Sequence, residues 1–228
     1  MIGHSLTLNL GSTLKHQTLT VEAAIIAGWT GRDPATVEKH IRELKTLGVR
    51  APTSTPIFYR VAASRLTTAT VIEASGTESG GEVEFVLLRQ GGRLWVGVGS
   101  DHTDRKVEVY NVTVSKQMCE KPIAPQFWNY DEVADHWDEL LLRSFVCEDG
   151  ERMLYQEGSV AGMLHPEALI SRYTGGGDLN ESTLMFCGTL PVSGRVRPTA
   201  GFAFEMEDPV LGYKVTHEYR VVTLPVLE

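Results

Sequence analysis

Apolar and polar residues alternate along most of this chain, the period of strands buried on one face. Residues 5 to 29 hold two such runs, SLTLNL and TLTVEAAIIAGW, with a Gly-Ser turn between them. They predict an opening β-hairpin within residues 1–30. The period then changes. Val37, Ile41, Leu44 and Leu47 recur at helical spacing behind Asp33 as N-cap and Pro34 as first helical residue, and Gly48 follows. A helix over 33–47 is expected. After the proline-rich segment 51–60, alternation and β-branched residues return in TATVIEA, GEVEFVLL, RLWVGVG and KVEVYNVTV, which predict strands across 68–114. Val133, Trp137, Leu140, Leu141 and Phe145 suggest a helix over 130–146. A shorter one opens near His165-Pro166 and stops at Gly175-Gly176-Gly177. The last runs, STLMFCGTL, GFAFEME and YKVTHEYRVVTL, read as strands.

Long β segments broken by a few short helices indicate a β-rich α+β fold. They do not alternate regularly with helices, so a doubly wound dinucleotide-binding sheet is not expected. At 228 residues the chain fits one domain over 1–228, or one main domain with a small N-terminal piece, its core filling 51–228. A formal net charge of −8 without a basic cluster excludes non-specific nucleic-acid binding. No apolar run reaches the length of a membrane span, and the N-terminus lacks the charged and apolar regions of a signal peptide. Cys119, Cys147 and Cys187 are odd in number and lack CxxC spacing, which favours a reducing cytoplasm over disulfides or zinc.

Candidate chemistry enters with Glu82-Val83-Glu84. Residues two apart on a strand share a face, about 7 Å between Cα atoms. Two carboxylates held so repel each other and lose hydration, and a cation between them relieves both. With Asp101 as a third oxygen ligand, the set suits a hard divalent ion, Mg²⁺ or Mn²⁺. The same pattern also describes an ordinary solvated strand face. His102 and Asp104 remain open as further ligands.

Other residues could serve such a site. His40 and Glu43 are three apart on the 33–47 helix, either as a surface pair or as a dyad in which Glu43 raises the basicity of His40. Arg105 offers a planar donor fork for a carboxylate. Ser115-Lys116 reads as a strand end before the loop Lys121-Pro122-Ile123-Ala124-Pro125. Gly188-Thr189 ends an apolar strand with a backbone N–H and a hydroxyl suited to an anion, though a plain turn also fits. Gly97-Val98-Gly99 lacks the rest of a dinucleotide fingerprint, and Cys187 lies in an apolar run suited to core.

Taken in order, these pieces resemble the fumarylacetoacetate hydrolase family, here as a divergent bacterial branch. His40-Ile41-Arg42-Glu43 is similar to its H-x-x-E dyad on a mobile lid helix, with Gly31-Arg32 before it. Glu82-Val83-Glu84 and Asp101 match its metal carboxylates, and Arg105 the arginine that follows. Lys116 matches its catalytic-site lysine. Residues 170–179 and Phe186-Cys187-Gly188-Thr189 resemble the approach to its Gly-Thr-Pro loop. The departures are a short interval between Glu84 and Asp101, Lys106 at an often acidic position, Ala124 before Pro125, and Leu190 after Gly-Thr.

The resemblance implies a mixed β-roll with a short lid helix, and a homodimer. It also implies Mg²⁺ or Mn²⁺ on Glu82, Glu84 and Asp101, acting as a Lewis acid on a small 2-oxo or β-diketo carboxylate. Lys116 would add positive charge there, Arg105, Gly188 and Thr189 would hold the substrate, and His40 with Glu43 would activate water. Hydrolysis of a carbon–carbon bond in an acylpyruvate-like acid is the expected reaction. Decarboxylation or dehydration of a 2-oxo or sugar acid is the alternative, and a ligand-binding domain that has lost catalysis a further one.

Overall fold

The computed structural model describes residues 3–11, 16–46, 52–148 and 150–227, without the side chains of residues 40 and 43–46. The alternating segments assemble into two main sheets. The larger has eight strands in the order His16–Val21, His4–Leu10, Gln126–Asn129, Arg93–Ser100, Val83–Gln90, Thr183–Thr189, Ala23–Gly28, Ile57–Val61. The smaller has five: Glu151–Ser159, Leu141–Glu148, Gly201–Asp208, Tyr213–Leu224, Val71–Ser75. Both are mixed. His4–Leu10 runs parallel to Gln126–Asn129, Ala23–Gly28 to Thr183–Thr189, and Tyr213–Leu224 to Val71–Ser75.

Strand Val83–Gln90 is buried on both faces because its two residue sets meet different cores. Phe85 and Leu87 join Leu142, Val146, Phe202 and Phe204 of the smaller sheet. Val86 and Leu88 point the other way, into a second core with Leu8, Ile26, Phe127 and Phe186. Glu84 shares the face of Val86 and Leu88, at the start of the strand. The pair Gly97 and Gly99 is explained by packing. A Cβ at Gly97 would sit 2.8 Å from the Phe127 ring, and one at Gly99 would sit 2.7 Å from that of Phe186.

Two helices follow the sequence signals. In Pro34–Thr46, Asp33 accepts hydrogen bonds from the amides of Ala35 (3.1 Å) and Thr36 (3.2 Å). Pro166–Thr174 ends at Gly175 in the left-handed region, whose N–H reaches the Ser171 carbonyl. The first helix carries the backbone of His40 and Glu43, whose side chains lie outside the described residues.

Three readings of the pattern need correction. KVEVYNVTV is helical, Arg105–Glu108 followed by Val112–Met118, because Asp104 and Asn111 cap the amides of Val107 and Val114. Lys116 therefore comes from the last turn of a helix and not from a strand end. The 130–146 segment is helical only through Glu139 and then becomes strand Leu141–Glu148. Its Leu142, Ser144 and Val146 are buried at a period of two, and pairing on both edges outweighs the helical spacing. Finally, the second opening run divides at Glu22. His16–Val21 completes a hairpin with His4–Leu10, while Ala23–Gly28 leaves it for the centre of the large sheet.

Candidate metal centre

The centre forms where strand Val83–Gln90 and strand Arg93–Ser100 meet at their site ends. Val83 pairs with Ser100, Glu84 with Gly99, and the Asp101 amide donates to the Glu82 carbonyl at 3.0 Å. This register sets Asp101 opposite the Glu-x-Glu pair. One carboxylate oxygen from each of Glu82, Glu84 and Asp101 lies within 4.8 Å of the others. Glu84 and Asp101 are buried, so the solvated-face reading does not describe them.

Each carboxylate is oriented by a different element. Glu84 Oε2 accepts the Gly188 amide at 2.7 Å, from the bulged end of strand Thr183–Thr189. Gly188 has φ of 98°, and a Cβ there would come within 1.7 Å of Thr30 Oγ1. No other residue type fits this peptide. The Thr189 hydroxyl donates to the Val83 carbonyl at 2.7 Å and accepts from Gln156 Nε2 at 2.7 Å. Glu82 Oε1 stands 3.5 Å from Arg105 Nη2, while Arg105 Nη1 donates to Glu108 at 3.0 Å. Asp101 is held on both oxygens. Lys116 Nζ pairs with Oδ2, and Lys121 Nζ lies 3.1 Å from Oδ1.

Electrostatics separates the three. Burial pushes the Glu82 carboxyl above its usual range, against Arg105, and pushes Glu84 well above it, with Asp101 adding repulsion. Burial also opposes the charge of Asp101, but Lys116 and Lys121 overrule it and hold that carboxyl below the usual range. Lys116 loses hydration as well, yet Asp101 and Glu108 raise its pKa above that of a free lysine. Two carboxyls that resist ionisation beside one that does not make a set whose cost a divalent cation would lower. The donors are all hard oxygens, so the residues fit such an ion.

His102 and Asp104 are engaged elsewhere. The buried imidazole hydrogen-bonds Tyr219 and Ser79 through Nδ1 and Nε2, both at 2.9 Å, and burial pushes its pKa down to about 3. Asp104 spends Oδ1 on the Val107 amide. Cys187 belongs to the core, and burial pushes its thiol well up, away from nucleophilic chemistry.

Four residues of this neighbourhood escape sequence reasoning. Tyr59 places its ring 5.9 Å from Lys116 Nζ. Glu108 answers Arg105. Gln156 links the two sheets, taking the Val83 amide on Oε1 at 2.9 Å while Nε2 reaches Thr189 and Leu190. Lys121 is wholly buried. The only cue to it was a charge set directly before an apolar stretch, Pro122-Ile123-Ala124.

No curated protein sequence matches the chain. Solved structures do share its fold. One is Cg1458 with inhibitor, at 16% identity and a TM-score of 0.64, with 93% of this chain and 84% of that one covered. A second is 2-keto-3-deoxy-D-arabinonate dehydratase complexed with magnesium and 2,5-dioxopentanoate, at 15%, 0.63, and 92% and 77% coverage. A third is yeast ynq8, a fumarylacetoacetate hydrolase family protein, at 16%, 0.59, and 91% and 96% coverage. The β-roll expected from the sequence motifs is thus the observed fold. Residues 27–219, which include every candidate ligand, match one family model, and the chain belongs to the family described as protein of unknown function (DUF2848).

Proposed function

We propose that this protein is a divalent-metal-dependent enzyme of the fumarylacetoacetate hydrolase type, a divergent branch that cleaves a carbon–carbon bond in a small 2-oxo or β-diketo carboxylate. The observation that carries the reading is the convergence of Glu82, Glu84 and Asp101 within 4.8 Å, in a fold shared with a magnesium-bound dehydratase of a sugar acid. When bound, Mg²⁺ or Mn²⁺ would supply Lewis-acid polarisation of the substrate's oxygens.

The chain's own residues supply the rest. The Gly188 amide fixes Glu84, and Thr189 ties the start of the same strand to its neighbour. Their support of the reaction is through this alignment, beside any contact with substrate. Lys116, buried against Asp101 with 8% of its side chain exposed, brings a positive charge to the substrate's oxygens. Arg105, paired with Glu82 and Glu108, takes a substrate carboxylate by exchanging one of those partners. His40, with Glu43, is assigned the activation of water from the Pro34–Thr46 helix, which acts as a lid.

A lyase reaction is the second reading, favoured by the dehydratase among the structures of this fold. Incubation of acylpyruvates and sugar-derived 2-oxo acids with Mg²⁺ or Mn²⁺ in ¹⁸O-labelled water separates the two. Hydrolysis places the label in a product carboxylate, whereas dehydration or decarboxylation leaves that group unlabelled. Turnover that persists in full after Asp101→Asn or Glu84→Gln would refute the metal reading under either chemistry.

A further inference from the structure

One cation at the centre has no part in that scheme. Lys121 lies on the short strand Lys121–Pro122, which runs parallel to Leu66–Thr67. Its side chain is completely buried. The Nζ donates to the His102 carbonyl and stands 3.1 Å from Asp101 Oδ1. Asp101 is therefore bracketed, with Lys116 on Oδ2 and Lys121 on Oδ1. The Thr103 hydroxyl adds a third contact to the carboxylate, donating to Oδ1 at 3.3 Å. Among the described residues, Glu82, Glu84, Asp101 and Glu108 face Arg105, Lys116 and Lys121. Much of the counter-charge that a divalent ion would provide is thus already built into the protein. Both ammonium groups are buried, Lys116 with 8% of its side chain exposed and Lys121 with none.

We propose that Lys121 is a positioning residue that sets the grip of the centre on its ion. It engages Asp101 from the Oδ1 side, and its positive charge there holds divalent-cation affinity low enough for the ion to exchange. The inference rests on the metal reading of Glu82, Glu84 and Asp101. An anchor without an electrostatic role predicts the opposite result, since its loss would loosen Asp101 and weaken binding. Repulsion between a buried ammonium and a divalent ion a few ångströms away is only partly screened inside a protein.

The test is calorimetric titration of Mg²⁺ alone, and of Mn²⁺ alone, into metal-free wild type, Lys121→Gln and Lys121→Met. Gln keeps an N–H donor for the His102 carbonyl without the charge, and Met fills the same buried length. Removal of one unit charge at this range should tighten binding about tenfold or more in Lys121→Gln, and in the same direction in Lys121→Met. Equal or weaker binding in Lys121→Gln overturns the proposal. So does loss of cooperative unfolding in both variants, which would make Lys121 a residue of the fold alone. Failure of all three proteins to bind either ion is a different result, and removes the metal reading itself.

Discussion

At the scale of single residues, Gly188 is the most constrained position of the centre. Its φ of 98° and the 1.7 Å approach of Thr30 Oγ1 to a hypothetical Cβ are independent obstacles to any side chain. Gly188→Ala should lower stability in urea unfolding by about 2–4 kcal/mol. The double variant with Thr30→Ala should recover the steric share and leave about 1 kcal/mol of backbone strain. A single substitution costing well under that residual would mean the peptide can turn over, and that Glu84 is not held by it. The sequence announced this glycine as a turn or an anion cradle. Its φ and its neighbour, 158 positions earlier in the chain, belong to the fold and leave no mark in a local pattern. The grouping of Glu82, Glu84 and Asp101 was legible because carboxylates are residue types that strands otherwise avoid burying. Lys121 was not, since a lysine before a proline is an ordinary loop signal.

At the scale of elements, the root of the Pro34–Thr46 helix is clamped. Arg32 makes a bidentate pair with Asp138, both contacts at 2.7 Å, and donates Nε to the Met163 carbonyl at 3.0 Å. Its amide reaches Gly162 at 3.0 Å, and the Leu164 amide reaches Thr30 at 2.7 Å. The side chains are too exposed for the pair to add much to global stability, about 1 kcal/mol at most. Arg32→Ala should instead act locally, speeding protease cleavage within 34–46 several-fold while the unfolding temperature moves little. Unaltered cleavage would show that the backbone bonds suffice. This helix was readable from Asp33 and Pro34 because a cap is a local device. The strands misread as helix, and the helices misread as strand, failed for one reason. Leu141–Glu148 and 105–118 carry apolar residues at spacings compatible with both periods, and partners from distant sequence, or the caps Asp104 and Asn111, decide between them.

At the scale of the whole molecule, the two sheets meet at Gln156. Its carbonyl oxygen accepts from the Val83 amide at 2.9 Å and the Ser144 hydroxyl at 2.8 Å, and its Nε2 donates to Thr189 and Leu190, each at 2.7 Å. Gln156→Leu would strand several of these groups in the interior, at a cost of about 2–4 kcal/mol in chemical denaturation. If the amide serves both stability and the alignment of Glu84, the same variant should also bind Mg²⁺ more weakly after correction for folding. A stable variant with unaltered affinity would divorce the brace from the centre. Strand Val83–Gln90, which Gln156 secures, is enclosed by a core on either side. It has no face on which change is cheap. Saturation mutagenesis should therefore find few tolerated substitutions along this strand, at odd and even positions alike, where a strand with one solvated face would accept changes at every second residue.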